Sequence, residues 1–127
     1  MSIPSELKYT KEHEWISVEG NIGVIGITEY AQGELGDVVF VDITKSVGDS
    51  LDLNENFGTI EAVKTVSELY APCSGKIVEI NSDLGDSPEF INQDPYKKGW
   101  MIKVEMSNPA DLDQLLDAAA YGELTGA

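Results

Sequence analysis

Lys64 stands in the stretch EAVKTVSELYAP, residues 61–72, between Val63 and Thr65 in a run that otherwise reads as β-strand. A lysine is a poor choice for a strand interior and costly to bury. Two roles fit such a residue. It can face solvent on an edge strand and block unwanted pairing, or it can be displayed at a hairpin tip so that something is attached to it. An amine that acts as a nucleophile sits in a pocket that disfavours its charge. Lys64 instead has Glu61 and Glu68 as near neighbours in sequence, a setting for an attachment point rather than a catalytic amine.

Other constellations carry less. Cys73 and His13 are the only cysteine and the only histidine. A nucleophile pair could be drawn between them, but Cys73 lies between Pro72 and Ser74 with no catalytic context, and a lone cysteine is more often a small buried hydrophobe. A zinc site of Cys and His needs more ligands. Among 23 acidic side chains a pair of carboxylates carries no information about glycoside chemistry. The segment DLNENFG from Asp52 is similar to a calcium loop, but Phe57 stands where glycine is required and Val63 where a bidentate glutamate is required. No Gly-rich phosphate loop or nucleophile elbow is present.

The elements that must position Lys64 are short and separated by frequent turns. HEWISVEGNIGVIGIT reads as strand, turn at Glu19-Gly20-Asn21, strand. Thr28 can cap a short helix that stops near Gly33. DVVFVDI is a continuous apolar run, expected to be buried on both faces or in a barrel-like core. Gly-Asp pairs in LGDVVFV (35–41), VGDSLDL (47–53) and LGDSPEF (84–90) point to repeated turn-strand units. Gly58 opens a strand, KIVEIN resumes alternation, PYKKG is a turn holding Lys97 and Lys98, and WMIKVEM alternates through Trp100, Ile102, Val104 and Met106. At the C-terminus Ser107 or Asn108 can cap a helix with Pro109 in its first turn. Leu112, Leu115, Leu116 and Ala119 then form an apolar stripe. The helix is expected over about 109–121, ending at Gly122, with 122–127 frayed. The whole, residues 1–127, reads as one mostly β domain.

The composition removes several function classes. The 127 residues carry a formal charge of -15, and all eight basic residues are lysines. Nucleic-acid binding leans on clustered Arg and Lys, so no nucleic-acid partner is expected. A strong negative field suits solubility and transient docking to basic clefts. No apolar run approaches a membrane span, and MSIPSELKYT is neither a signal nor a typical transit sequence. The expected setting is therefore the bacterial cytoplasm, with no targeting segment and no membrane partner; the single cysteine fits a reducing compartment.

Long blocks in order carry a resemblance: LKYTKEHEWI (7–16), IGITEYAQ (25–32), LGDVVFVDI (35–43), IEAVKTVSELYAPCSGKIVEIN (60–81) and DPYKKGWMIKV (94–104). The chain resembles the H protein family of the glycine cleavage system, which carries lipoate. Two departures are small. Cys73 stands where an apolar residue is more familiar, and DITKSVGDS lacks a proline expected after Ile43.

The resemblance implies a sandwich of antiparallel sheets of the lipoyl/biotinyl (barrel-sandwich hybrid) type, with a short internal helix and a C-terminal helix. It places covalent lipoate on Lys64 and makes the chain a carrier rather than an enzyme, with no metal. The implied partners are glycine decarboxylase, a tetrahydrofolate-dependent aminomethyltransferase, dihydrolipoamide dehydrogenase, and a lipoate ligase or lipoyl/octanoyl transferase. Two alternatives share the hairpin logic: an H-like protein that only relays lipoyl groups, and a biotin carrier, although biotin sites set methionine beside the lysine where this chain has Val63 and Thr65. The resemblance further implies that the loaded arm folds back onto the protein. KEHEW then offers Glu14 as the anion for its amine, Glu12 and Glu68 as helpers, and Trp15 as a dry wall; on an extended segment Glu12 and Glu14 share a face.

Overall fold

The computed structural model describes residues 3–126. Alternating apolar residues build nine strands: β1 Lys8–Tyr9, β2 Glu14–Glu19, β3 Ile22–Ile27, β4 Val38–Ile43, β5 Ser50–Leu51, β6 Asn56–Ala62, β7 Val66–Tyr70, β8 Gly75–Ile80 and β9 Ile102–Met106. They form two antiparallel sheets, one in the order β1-β2-β3-β9-β8-β5 and one in the order β4-β6-β7; neither closes into a barrel. Ile16, Ile25, Ile77, Ile102 and Val104 of the first sheet meet Ile60 and Leu69 of the second in one buried core. The fold is thus mostly β, as the strand pattern predicts, and arranged as the two-sheet sandwich that the resemblance implies.

The β2–β3 hairpin turns at Gly20 with φ 61, a left-handed conformation that glycine adopts freely. Helix α1, Glu29–Leu35, starts where Thr28 accepts the Ala31 N–H. It runs past Gly33 and ends at Gly36, because the last turn buries Leu35 in the core. DVVFVDI is not buried on both faces. Val39 and Phe40 are about half exposed, since β4 is an edge strand of a sheet whose other face looks to solvent, and its register shifts between Val38 and Phe40. The third Gly-Asp segment is also corrected. It runs from one single-turn helix, α2 Asp83–Asp86, through a turn at 87–89 into a second, α3 Phe90–Gln93.

The C-terminal helix differs most from expectation. Pro109–Gln114 is a 3-10 turn capped by Asn108, and the regular helix α4 spans Ala118–Thr125. Between them the backbone of Leu116 pairs with Tyr9, each N–H donating to the other's carbonyl at 2.8 Å. That bridge straightens the chain and removes the predicted stripe: Ala119 is exposed. Asp117 recaps the chain by accepting the Ala120 N–H at 2.8 Å. Gly122 lies buried inside α4 and Gly126 terminates it, so residues 122–125 are helical rather than frayed; Ala127 lies outside the described residues.

Candidate functional site

Strands β6 and β7 pair from Asn56↔Tyr70 to Glu61↔Val66. Val63, Lys64 and Thr65 turn the chain between them, closed by the Ala62 N–H on the Thr65 carbonyl at 2.8 Å. No residue of this turn has a positive φ, so ordinary side chains fit it without strain. The Val63 N–H donates to the Asp37 carbonyl at 3.1 Å, which ties the turn to the segment entering β4. Lys64 is exposed at the tip. Its ammonium makes no ion pair among the described residues, where the two ion pairs are Lys45–Glu55 and Lys103–Glu79. The turn is a braced platform for an exposed side chain.

At Ser67, three residues past Lys64, a cleft of about 270 Å³ begins. Ser67, Glu68 and Leu69 line it from β7, Ile60 from β6, Ile27 from β3, Tyr30, Ala31, Glu34 and Leu35 from α1, and Glu12, His13 and Glu14 from the loop entering β2. Its walls combine aliphatic side chains with four carboxylates. Trp15 is not among them. It is buried with Leu7, Tyr9 and Tyr121 in a second core and donates its indole N–H to the Pro95 carbonyl at 3.0 Å. The dry wall is instead made by Ile27, Ala31, Leu35, Ile60 and Leu69.

The loop from Thr10 to His13 explains how Glu14 comes to be buried. Thr10 and Glu14 exchange backbone and side-chain contacts. The Thr10 N–H donates to the Glu14 carbonyl, and the Glu14 N–H donates to the Thr10 hydroxyl. His13 takes a left-handed φ of 74, a conformation histidine tolerates better than most residues. The segment is therefore kinked rather than extended. Glu12 ends up exposed and Glu14 only 1% exposed, though both reach the cleft.

Glu14 is held by the Thr10 hydroxyl, which donates to Oε1 at 2.6 Å, and by the Tyr70 N–H, which points to Oε2 at 3.4 Å. Burial pushes its carboxyl up to about 7; the two hydrogen bonds oppose that rise and the charge of Glu12 adds to it. Glu68, at the rim, accepts from the Tyr70 hydroxyl at 2.7 Å. The structure thus brings Glu12, Glu14 and Glu68 to one cleft beside the Lys64 hairpin.

Several cleft residues were not legible beforehand. Tyr30 and Glu34 lie four apart on α1 and so share a face, a signal the sequence did contain. His13 Nδ1 lies 2.8 Å from the Tyr121 hydroxyl, which lies 2.7 Å from the Thr28 hydroxyl. Burial lowers the His13 pKa, against the charges of Glu12 and Glu34. Tyr121 also stacks on Tyr9 with centroids 4.6 Å apart. Helix α4 is therefore pinned under the loop that carries Glu14, and no local pattern announces a contact spanning 108 residues. Cys73 is fully buried in the main core, where burial pushes its thiol up to about 12. It takes no part in the cleft.

The glycine cleavage H-protein family matches residues 7–126. The chain is 63% identical over 124 residues to the glycine cleavage system H protein of Symbiobacterium thermophilum, covering 98% of this chain and 96% of that protein. It is 61% identical over 126 residues to the H protein of Staphylococcus haemolyticus, covering 99% of each. The crystal structure of a glycine cleavage system H protein from Mycobacterium marinum superimposes with a TM-score of 0.90 at 39% identity, over 98% of this chain and 100% of that one. A two-sheet sandwich with a lysine-tipped hairpin and near full-length similarity of this order leave one assignment: the chain belongs to the glycine cleavage H-protein family.

Proposed function

We propose that the chain is a carrier, not an enzyme, and that Lys64 holds lipoate through an amide bond. When bound, that group would supply a disulfide able to accept an aminomethyl unit at one sulfur from glycine decarboxylase; passing that unit to the tetrahydrofolate-dependent aminomethyltransferase would leave a dithiol, which dihydrolipoamide dehydrogenase would return to the disulfide. The observation that carries the proposal is a juxtaposition: an exposed, unpaired lysine on a braced turn, with a cleft holding a buried carboxylate beginning three residues away. A cationic amine entering the cleft would meet Glu14 at its base and Glu12 and Glu68 at its rim. A charge-assisted hydrogen bond to a carboxylate is roughly twice as strong as a neutral one. Ile27, Leu35, Ile60 and Leu69 would limit the water that reaches it.

The chain's own contribution is to present, hold and shield. Its acidic surface favours brief encounters with basic clefts on several partners, where fast exchange matters more than affinity. No helix among the described residues is long and apolar enough to cross a membrane, and we assign the working compartment as the bacterial cytoplasm. The test is intact-mass analysis after incubation with a lipoate ligase, lipoate and ATP. The parent should gain a single lipoyl mass and Lys64→Ala none. An adduct that persists in Lys64→Ala, or a biotin mass where lipoate fails, would overturn the assignment.

A further inference from the structure

The three-stranded sheet has two unlike faces. Its inner face buries Ile60, Ala62 and Leu69. On its outer face the register sets Phe40 beside Glu61 and Glu61 beside Val66. The next row on that face is Asp42, Thr59 and Glu68. Phe40 is 51% exposed, Val66 61% and, at the turn, Val63 71%. Singly scattered apolar residues need no explanation, but three on one face beside one turn do. Here the group adjoins the Lys64 turn and is interleaved with carboxylates, and no segment of the described chain lies over it.

We propose that this outer face, centred on Phe40 and Val66, is where the ligase that acylates Lys64 docks, with apolar contacts at those two residues and basic groups opposite Asp42, Glu61 and Glu68. The proposal rests on Lys64 being the lipoyl attachment point. The argument is one of reach. In the acylation the deprotonated Lys64 amine attacks the carboxyl carbon of an acyl adenylate. The amide C–N bond forms, the bond to the phosphate oxygen breaks with its electron pair leaving as AMP, and the amine proton passes to solvent. An unmodified lysine extends only about 6 Å from Cα to Nζ. The ligase must therefore bring its catalytic atoms down onto the turn and cover the surface around it. A standard interface of about 800 Å² per partner corresponds to a disc of about 16 Å radius. With strands about 4.8 Å apart and about 3.3 Å per residue along each, Phe40 and Val66 fall inside that disc. Enzymes that work on an already acylated arm reach it at greater length and need not cover this face. Charge sets the partner's sign, since the patch carries three carboxylates on a chain of net charge -15.

The experiment measures initial rates of acylation of the unmodified full chain by a lipoate ligase, with intact mass as readout. The variants are Phe40→Ser, Val66→Ser and the pair, with Leu124→Ser as control, a residue 49% exposed on α4. Because Phe40 and Val66 are exposed, their variants should melt like the parent. Truncating an interface anchor commonly costs a factor of about ten. Phe40→Ser is expected to raise KM for the carrier about tenfold at similar kcat, the pair more, and Leu124→Ser not at all. Rates within twofold of the parent in the pair, while Lys64→Ala still blocks modification, would overturn the docking surface and leave the attachment site standing. A parent that takes no lipoyl mass would overturn both. Two other results would overturn the ligase assignment. In one, Phe40→Ser leaves acylation unchanged but slows glycine decarboxylase on acylated carrier. In the other, it turns a dimer into a monomer.

Discussion

Glu14 is a buried carboxylate whose cost can be measured. Its carboxyl is pushed from 4.5 up to about 7 by burial, and at 1% exposure there is little solvent to screen the effect. The folded state therefore binds a proton more tightly than the unfolded state does. Stability from this group is highest below about pH 4.5 and is lost as the pH rises to about 7, across the window in which the folded chain holds a proton and the unfolded chain does not. At 1.36 kcal/mol per pKa unit the loss comes to about 3 kcal/mol. Replacing Glu14 by Gln removes the titration and keeps the shape. The Gln carbonyl can accept from the Tyr70 N–H, while its amide reverses the Thr10 contact by donating to that hydroxyl.

Thermal melts of parent and Glu14→Gln across about pH 4.5 to 8.5 isolate this group, because the other acidic side chains are common to both proteins. The two should melt together near pH 4.5. By pH 8 the variant should be more stable by up to about 3 kcal/mol, or roughly 10 °C at about 4 °C per kcal/mol for a chain of this size. A gap that stays constant with pH would refute the claim that burial raises the Glu14 carboxyl.

Three further outcomes follow from the same geometry. If Glu14 holds the loaded arm, carrier loaded by the decarboxylase and then isolated should release formaldehyde and ammonia faster in Glu14→Gln than in the parent; equal decay would make Glu14 a structural acid only. If the negative surface steers docking, raising ionic strength from about 0.05 M to about 0.5 M shortens the screening length about threefold and should raise KM with the decarboxylase several-fold, whereas an unchanged KM would leave the charge a solubility device. Tyr121→Phe removes the hydroxyl shared by His13 and Thr28 and should cost about 1–3 kcal/mol by thermal melt. Tyr30→Phe, whose ring meets His13 at 4.8 Å, is the control and should cost little.

What the sequence revealed and what it hid divides along the range of the interactions. The β2–β3 hairpin was legible because alternation and Gly20 are local signals. So was the start of α1, because Thr28 and the Ala31 N–H it caps are three residues apart. Lys64 stood out because a charged residue interrupts a strand pattern. The two-part C-terminus was not legible: it depends on Leu116 pairing with Tyr9, a partner more than a hundred positions away. The depth of Glu14 was not legible either. Alternation predicts that Glu12 and Glu14 share a face, and only the left-handed His13 separates them. The outer face of β4 misled for a different reason, since an apolar run cannot reveal that the second sheet stops at three strands.

A buried acid at position 14 calls for a physical reason. A buried charge is often replaceable by a neutral side chain with a gain in stability. Domains of this kind retain only about 5–15 kcal/mol in total, so an ionised Glu14 costing about 3 kcal/mol is a substantial fraction. That figure is what remains after the Thr10 and Tyr70 hydrogen bonds have offset part of the desolvation. A cation entering the cleft would offset the remainder, since pairing is what makes a buried anion tolerable. The unrelieved cost would then become affinity for a charged guest. That transfer works only if the cleft cannot collapse or flood to relieve the charge in another way. Two sheets fix Ile27, Ile60 and Leu69 around it, and Tyr121 pins the His13 loop from below. On the proposed function α4, far from Lys64 in sequence, would serve the same guest by bracing the loop beside which Glu14 is buried.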